Sequence, residues 1–172
     1  MLSLLQERRS IRRYKPDRIE EHIIDTLKEA VLRSPSSRGI NPWEFIFVDD
    51  PDLLVKLSEA KQHGSLFLKH AVLGVIVCGD ERKSDVWVED CSIASIILQL
   101  VAQSLGLGTC WIQIRNRKHN DSTISEQYIR QVLNIPEHVK VESIISIGYP
   151  DEVKEPHPTS NLEYHKLHIN TY

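Results

Sequence analysis

A β-sheet covered by helices is the fold class this sequence predicts, and three observations point to it. Helical and strand periodicities follow one another in the order helix, helix, strand, helix, strand, helix, strand, helix, strand. Val72 to Cys78 is an unbroken apolar run of strand length, the pattern of an interior strand. With 172 residues, 41% hydrophobic and 26% charged, the chain suits a single domain spanning 1–172 that buries its core without disulfides or a structural metal.

Leu2, Leu4 and Leu5 before Glu7-Arg8-Arg9 start a short helix that ends near Ser10, and Ile11 to Tyr14 continue as an extended piece. From Ile19, the residues Ile23, Ile24, Leu27, Ala30 and Val31 recur at helical spacing, with Glu20, Glu21, Asp25, Lys28 and Glu29 opposite, and Ser34-Pro35 stops the helix. Turn formers fill Ser34 to Pro42, and Trp43 to Val48 follows as a strand. Pro51 opens a helix running to Ala60, and Gly79-Asp80 ends the strand begun at Val72.

Val88 to Leu105 is helical and apolar over most of its circumference, so the domain or a second subunit must cover it. Gly106-Leu107-Gly108 terminates that helix; Thr109 to Ile114 is a strand, Ile124 to Leu133 a helix, and Val141 to Ile147 the last strand. Residues 150–172, rich in Glu, Lys, Pro, His and Asn, carry little that could form a core and read as a tail running over a surface.

A net charge of −3 argues against nucleic acid as a partner, because phosphate backbones are bound by excess positive charge. No apolar run reaches the roughly 18–20 residues of a membrane span, and arginines follow the first leucines closely, so the chain reads as soluble and cytoplasmic. Cys78, Cys91 and Cys110 have no zinc-site spacing and lie in apolar stretches, where buried thiols act as small hydrophobes. His138, His157, His165 and His168 lack the helical spacing of a metal pair. Glu89 and Asp90 suit the dipole at the start of the long helix.

Two segments offer chemistry. Arg8, Arg9, Arg12, Arg13 and Lys15 flank Ser10: forked guanidinium donors and a hydroxyl can hold a phosphate, although a solvated basic face has the same composition. Ser36, Ser37 and Asn41 can bind a polar ring edge beside Gly39, or serve an ordinary helix-to-strand loop. Gly106-Leu107-Gly108 lacks both the preceding strand and the third glycine of a dinucleotide fingerprint.

Taken in order, Arg8-Arg9-Ser10-Ile11-Arg12, Ser34-Pro35-Ser36-Ser37 with Asn41-Pro42-Trp43, Leu105 to Ile112, and Ile147-Gly148-Tyr149-Pro150 resemble the FMN-dependent nitroreductase family over nearly the whole chain. The resemblance implies an α+β fold, a mixed sheet surrounded by helices, and an intertwined homodimer with two FMN sites at the subunit interface. By the same resemblance, Arg8, Arg9 and Ser10 would hold the FMN phosphate and ribityl chain, and Arg12 would lie near the pyrimidine edge of the ring. Pro35, Ser36 and Ser37 would line the ring from the other subunit, and the main chain of Gln113 and Ile114 would approach its reactive nitrogen. Lys154, or else His157, would reach the phosphate. The pattern departs from the family at Asn41, which stands where Gln is usual, and at Gln113, where a glycine commonly follows Trp-Ile.

The implied activity is electron transfer from NAD(P)H through FMN to a nitroaromatic, quinone or similar small-molecule acceptor in a ping-pong cycle, the flavin carrying the chemistry. A flavin-binding or redox-sensing module with little turnover fits the compact length too. Flavin-dependent dehalogenation or ring fragmentation would call for a lid, for which Pro51 to His70 leaves little room.

Overall fold

The computed structural model describes residues 1–172. Its elements are α1 (Leu2–Glu7), α2 (Glu21–Leu32), β1 (Trp43–Val48), α3 (Pro51–Ser58), β2 (Leu73–Asp80), α4 (Trp87–Ser104), β3 (Gly108–Gln113), α5 (Ser125–Leu133) and β4 (Val139–Gly148). Order and type follow the sequence reading, and several ends move. Gly79 and Asp80 belong to β2, because Asp80 N–H still finds a partner at the Pro42 carbonyl, 2.9 Å away. β4 starts two residues before the expected Val141. Leu66–His70 adds a 3₁₀ segment under α3.

The strands stand in the order β1-β2-β4-β3, and all three pairings are antiparallel. The expected mixed sheet is corrected to that extent. Its one parallel pairing is an isolated bridge from Ser10 to Thr109, made because the extended N-terminal segment runs along the outer edge of β3. Two glycines permit the close approach of this segment. A Cβ on Gly108 would lie 2.9 Å from the Ile11 side chain, and one on Gly148 would lie 2.9 Å from the Tyr14 ring. Gly108 therefore serves the sheet, while Gly106, at φ +79°, ends the preceding helix as expected.

Strand alternation sorts the side chains into two cores. Ile46, Val48, Ile76, Cys78, Ile112 and Ile144 face α3 and α5 with Leu54, Leu57 and Ile129. Trp43, Phe45, Val75, Val77, Ile145 and Ile147 face α2 and α4 with Leu27, Val31, Leu98 and Ala102. Fully burying one such leucine or isoleucine stabilises the fold by about 1.5–3 kcal/mol, so the twelve largest side chains shut off from solvent account for much of its cohesion.

Helix α4 is covered on one side only. Cys91, Ala94, Leu98 and Ala102 point inward, whereas Ile93 and Ile96 are exposed and Ile97 and Leu100 only half-buried, an apolar stripe at i, i+3, i+4 and i+7. The tail runs beside the N-terminal segment as far as Glu155, and beyond it every residue is exposed, Ile169 at 85% and Tyr172 completely. No helix is long and apolar enough to cross a membrane.

Candidate functional site

The N-terminal basic segment is fastened at several points. Ile11 N–H donates to the Thr109 carbonyl at 2.9 Å, Lys15 N–H to Tyr149 O at 2.9 Å, and Tyr14 Oη lies 2.7 Å from Ser146 Oγ. From the tail, Glu152 Oε1 accepts the N–H groups of Arg12 at 2.5 Å and Arg13 at 3.2 Å. Lys154 Nζ donates to the Ser10 carbonyl at 2.6 Å and sits 3.3 Å from Glu152. Lys154 is thus brought to Ser10 across almost the whole length of the sequence; His157 is exposed and has no contact there.

Arg8, Arg9, Ser10, Arg12 and Lys154 therefore share one place. The buried Cys110 senses the field of four of them: burial pushes its thiol up, while Arg12, the Ser10 hydroxyl, Lys154 and Arg8 pull the other way. Arg9 spends its guanidinium on the Glu155 carbonyl. Arg13 is turned outward, 3.9 Å from Asp151. Arg8 and Arg12 have no hydrogen-bond or ion-pair partner for their guanidinium groups; that of Arg12 lies 5.7 Å from the centre of the Phe67 ring. Beside them is a cleft of about 290 Å³ lined by Arg9, Ile11, Gly108, Thr109, Pro150 and Lys154 among others. Arg8, Ser10 and Arg12 do not line that cleft, but two unpaired guanidinium groups with an ammonium and a hydroxyl close by are the donor set of a phosphate site.

Strand β3 lies at the edge of the sheet. Ile114 N–H is donated inward to Glu142 O, and the Thr109 carbonyl faces outward to Ile11, so alternation turns the main-chain groups of Trp111 and Gln113 outward as well, with no strand beyond them. The Gln113 side chain is tied back: its Oε1 accepts Trp111 Nε1–H at 3.0 Å and its Nε2 donates to Arg115 O at 3.0 Å. Ile114 is fully buried and takes part in the core. Of this predicted pair, only Gln113 offers outward main-chain groups.

The Pro35 to Asn41 loop lies elsewhere. Ser37 N–H donates to Asp90 Oδ1 at 2.8 Å, which pins the loop to the first turn of α4. Asn41, at φ +53°, folds back so that its N–H donates to Ser36 Oγ at 2.9 Å and its Oδ1 accepts the Ser36 hydroxyl at 2.6 Å. Pro35 is exposed. The basic cluster is joined to the opposite end of α4, where Gln103 Nε2 donates to Leu4 O at 3.0 Å and lines the same cleft as Arg9. Between Asp90 and Gln103 the helix climbs about 20 Å. One chain therefore does not bring the loop to the arginines.

Sequence reasoning missed Glu152, Asp90 as the anchor of the loop, and Glu142 with Ser92 beneath β3. Asp90, expected only to complement a helix dipole, is buried at 2% exposure with one oxygen unpaired. For Glu142 a signal existed: it is the one charge in the apolar run from Val141 to Ile147.

Comparison with known proteins agrees with this architecture. The pattern of the nitroreductase family matches residues 5–67 and 65–149. The solved structure of an FMN-dependent nitroreductase from Clostridium difficile R20291 superimposes with a TM-score of 0.98 at 46% identity, covering 100% of both chains. A protein of Methanothermobacter thermautotrophicus named as a candidate NADH dehydrogenase/NAD(P)H nitroreductase is 37% identical over 88% of this chain and 78% of its own length. A protein of Archaeoglobus fulgidus carrying the same name is 35% identical over 90% and 87% respectively.

Proposed function

Because the chain belongs to the nitroreductase family, we propose that it is an FMN-dependent oxidoreductase that takes electrons from NAD(P)H and passes them to a nitroaromatic, quinone or similar small acceptor in a ping-pong cycle. The observation that carries this reading is the pair of unpartnered guanidinium groups, Arg8 and Arg12, gathered with Ser10 and Lys154 where β3 begins. Bound FMN would supply the two-electron carrier that no protein side chain provides.

The chain's own residues bind and orient that group. Arg8, Ser10 and Lys154 hold its phosphate, with Arg9 closing the segment against the tail. Arg12 sets a fixed positive charge beside the ring, which favours the electron-rich form. The outward main-chain groups of Trp111 and Gln113 give the ring edge a rigid line of donors and acceptors. Pro35, Ser36, Ser37 and Asn41 cover the ring from a second copy of the chain, since about 20 Å of helix separates them from the arginines of their own copy. The homodimer follows from this division, with the exposed stripe of α4 and the tail beyond Glu155 as the surfaces that join the copies.

The test is a visible absorption spectrum of the purified protein after FMN is added and the excess removed, followed by anaerobic NADH or NADPH. A retained flavin band that bleaches on addition, and returns with a nitroaromatic or quinone, is the expected result. Failure to retain FMN overturns the reading.

A further inference from the structure

Glu142 lies one strand in from the free edge of β3. Pairing of β2 with β4 slips between Val77 and Cys78, whose partners are Ser143 and Val141, so Glu142 is the extra residue of a β-bulge. A bulge breaks the alternation of side chains, and this one turns Glu142 and Ser143 toward the same helix. Ser92 Oγ on α4 lies 2.6 Å from Glu142 Oε1, and Ser95 Oγ lies 3.5 Å from Ser143 Oγ. Glu142 is 3% exposed, and its Oε2 meets no partner.

The hydroxyl of Ser92 decides the proton count. Its oxygen also lies 2.8 Å from the Val88 carbonyl, and a single hydroxyl proton cannot serve two acceptors. With Glu142 as a carboxylic acid both bonds close: Ser92 donates to Val88 O, and the acid O–H donates to Ser92 Oγ. The neutral form also leaves Oε2 as a carbonyl oxygen, which costs far less to bury unpaired than a carboxylate. The surroundings agree. Burial pushes the carboxyl up to about 7, against the pull of Arg115, while Glu89 adds to the rise. Those two are the charges that face it, Glu89 from α4 and Arg115 from the turn after β3. Cys91 on α4 and Cys78 opposite the bulge are both held as neutral thiols by burial.

The main chain of the same residue braces the end of β3, because the Glu142 carbonyl accepts the N–H groups of Ile114 at 3.0 Å and Arg115 at 2.9 Å. We infer that Glu142 is the charge-setting residue of this site: its carboxyl takes up a proton from solvent at Oε1 when negative charge arrives along the outer edge of β3, and returns it when that charge leaves. The inference rests on the flavin site proposed above and deepens it. With strands about 4.8 Å apart, the carboxyl lies on the order of 10 Å from that edge. At such a separation in a half-buried setting, one added negative charge favours the neutral acid enough to raise its titration by about one pH unit.

Isotope-edited infrared titration with carbon-13-labelled glutamate tests this in protein without FMN, in FMN-loaded protein, and in FMN-loaded protein reduced anaerobically. The expected result is a carboxylic-acid band that fades near neutral pH, is missing from Glu142→Gln, and fades about one pH unit higher after reduction. Ser92→Ala removes the acceptor of the acid proton and should move the fading to lower pH. A merely structural Glu142 gives the same midpoint oxidised and reduced, and that result in protein that has retained FMN overturns this inference alone. An acid band already lost at pH 5 in FMN-free protein overturns it too. Failure to retain FMN removes the flavin reading, and the inference with it.

Discussion

The two ends of α4 differ in charge and in state of satisfaction. At its C-terminal end, cations stand unpaired: Arg8 and Arg12, grouped with Lys154, beside an open cleft. At its N-terminal end, carboxyls are buried: Asp90 holds the Ser37 amide, Glu142 is locked to Ser92, and each keeps one oxygen without a partner. One end is thus shaped to receive an anion and the other to hold loop and strand edge in place. In the proposed function, a ligand with a phosphate at one end and a flat ring at the other would use both kinds of region, brought together by a second copy.

Removing the cations should have the largest effect. Charge-assisted hydrogen bonds contribute about 1.5–3 kcal/mol each, so Arg8→Ala with Arg12→Ala should weaken FMN binding by at least about a hundredfold in a fluorescence titration. Arg13→Ala, which removes only an exposed contact to Asp151, should leave that affinity unchanged.

At the other end the effect is on stability and depends on pH. The Glu142 carboxyl is raised in the folded chain to about 7, so its folded state binds the proton more tightly than its unfolded state. That contribution is complete below the ordinary glutamate range and is lost as pH rises through about 7. Glu142→Gln should therefore match the parent in urea unfolding near pH 4 and exceed it at pH 8, by up to about 3 kcal/mol. A smaller change is expected from Asp90→Asn, which weakens one charge-assisted bond to Ser37. It should loosen the 35–41 loop by about 1 kcal/mol, read as faster amide exchange at Ser37 with the sheet unaffected.

How much of this was legible in the sequence differs between the two ends. The basic segment is local, and Arg8 to Arg12 announce a cluster wherever the chain goes; Lys154 could be named from the resemblance, although its contact with Ser10 is a tertiary fact. The strands and helices were legible because periodicity and turn formers act over a few residues, as at Trp43–Val48, whose ends agree with expectation. The lone charge of Glu142 in an apolar run was legible, but its place beside the site was not. Its orientation depends on a register slip against β2, and register is set between strands distant in sequence. Gly108 was taken for a helix terminator because nothing in its neighbourhood reveals that Ile11 lies against it. The separation of the loop from the arginines also waited on the structure, which supplied the anchors at Asp90 and Gln103.

The most direct test of a site divided between two copies is FMN titration of a mixed dimer, purified with two different tags. One chain carries Arg8→Ala and Arg12→Ala, and the other carries substitutions of Ser36 and Ser37 by bulky residues. A shared site predicts one intact and one doubly damaged position, hence one FMN bound per dimer with parental affinity although neither variant alone binds well. A mixed dimer in which no position regains parental affinity would contradict the account, because a site contained within one chain leaves both positions damaged.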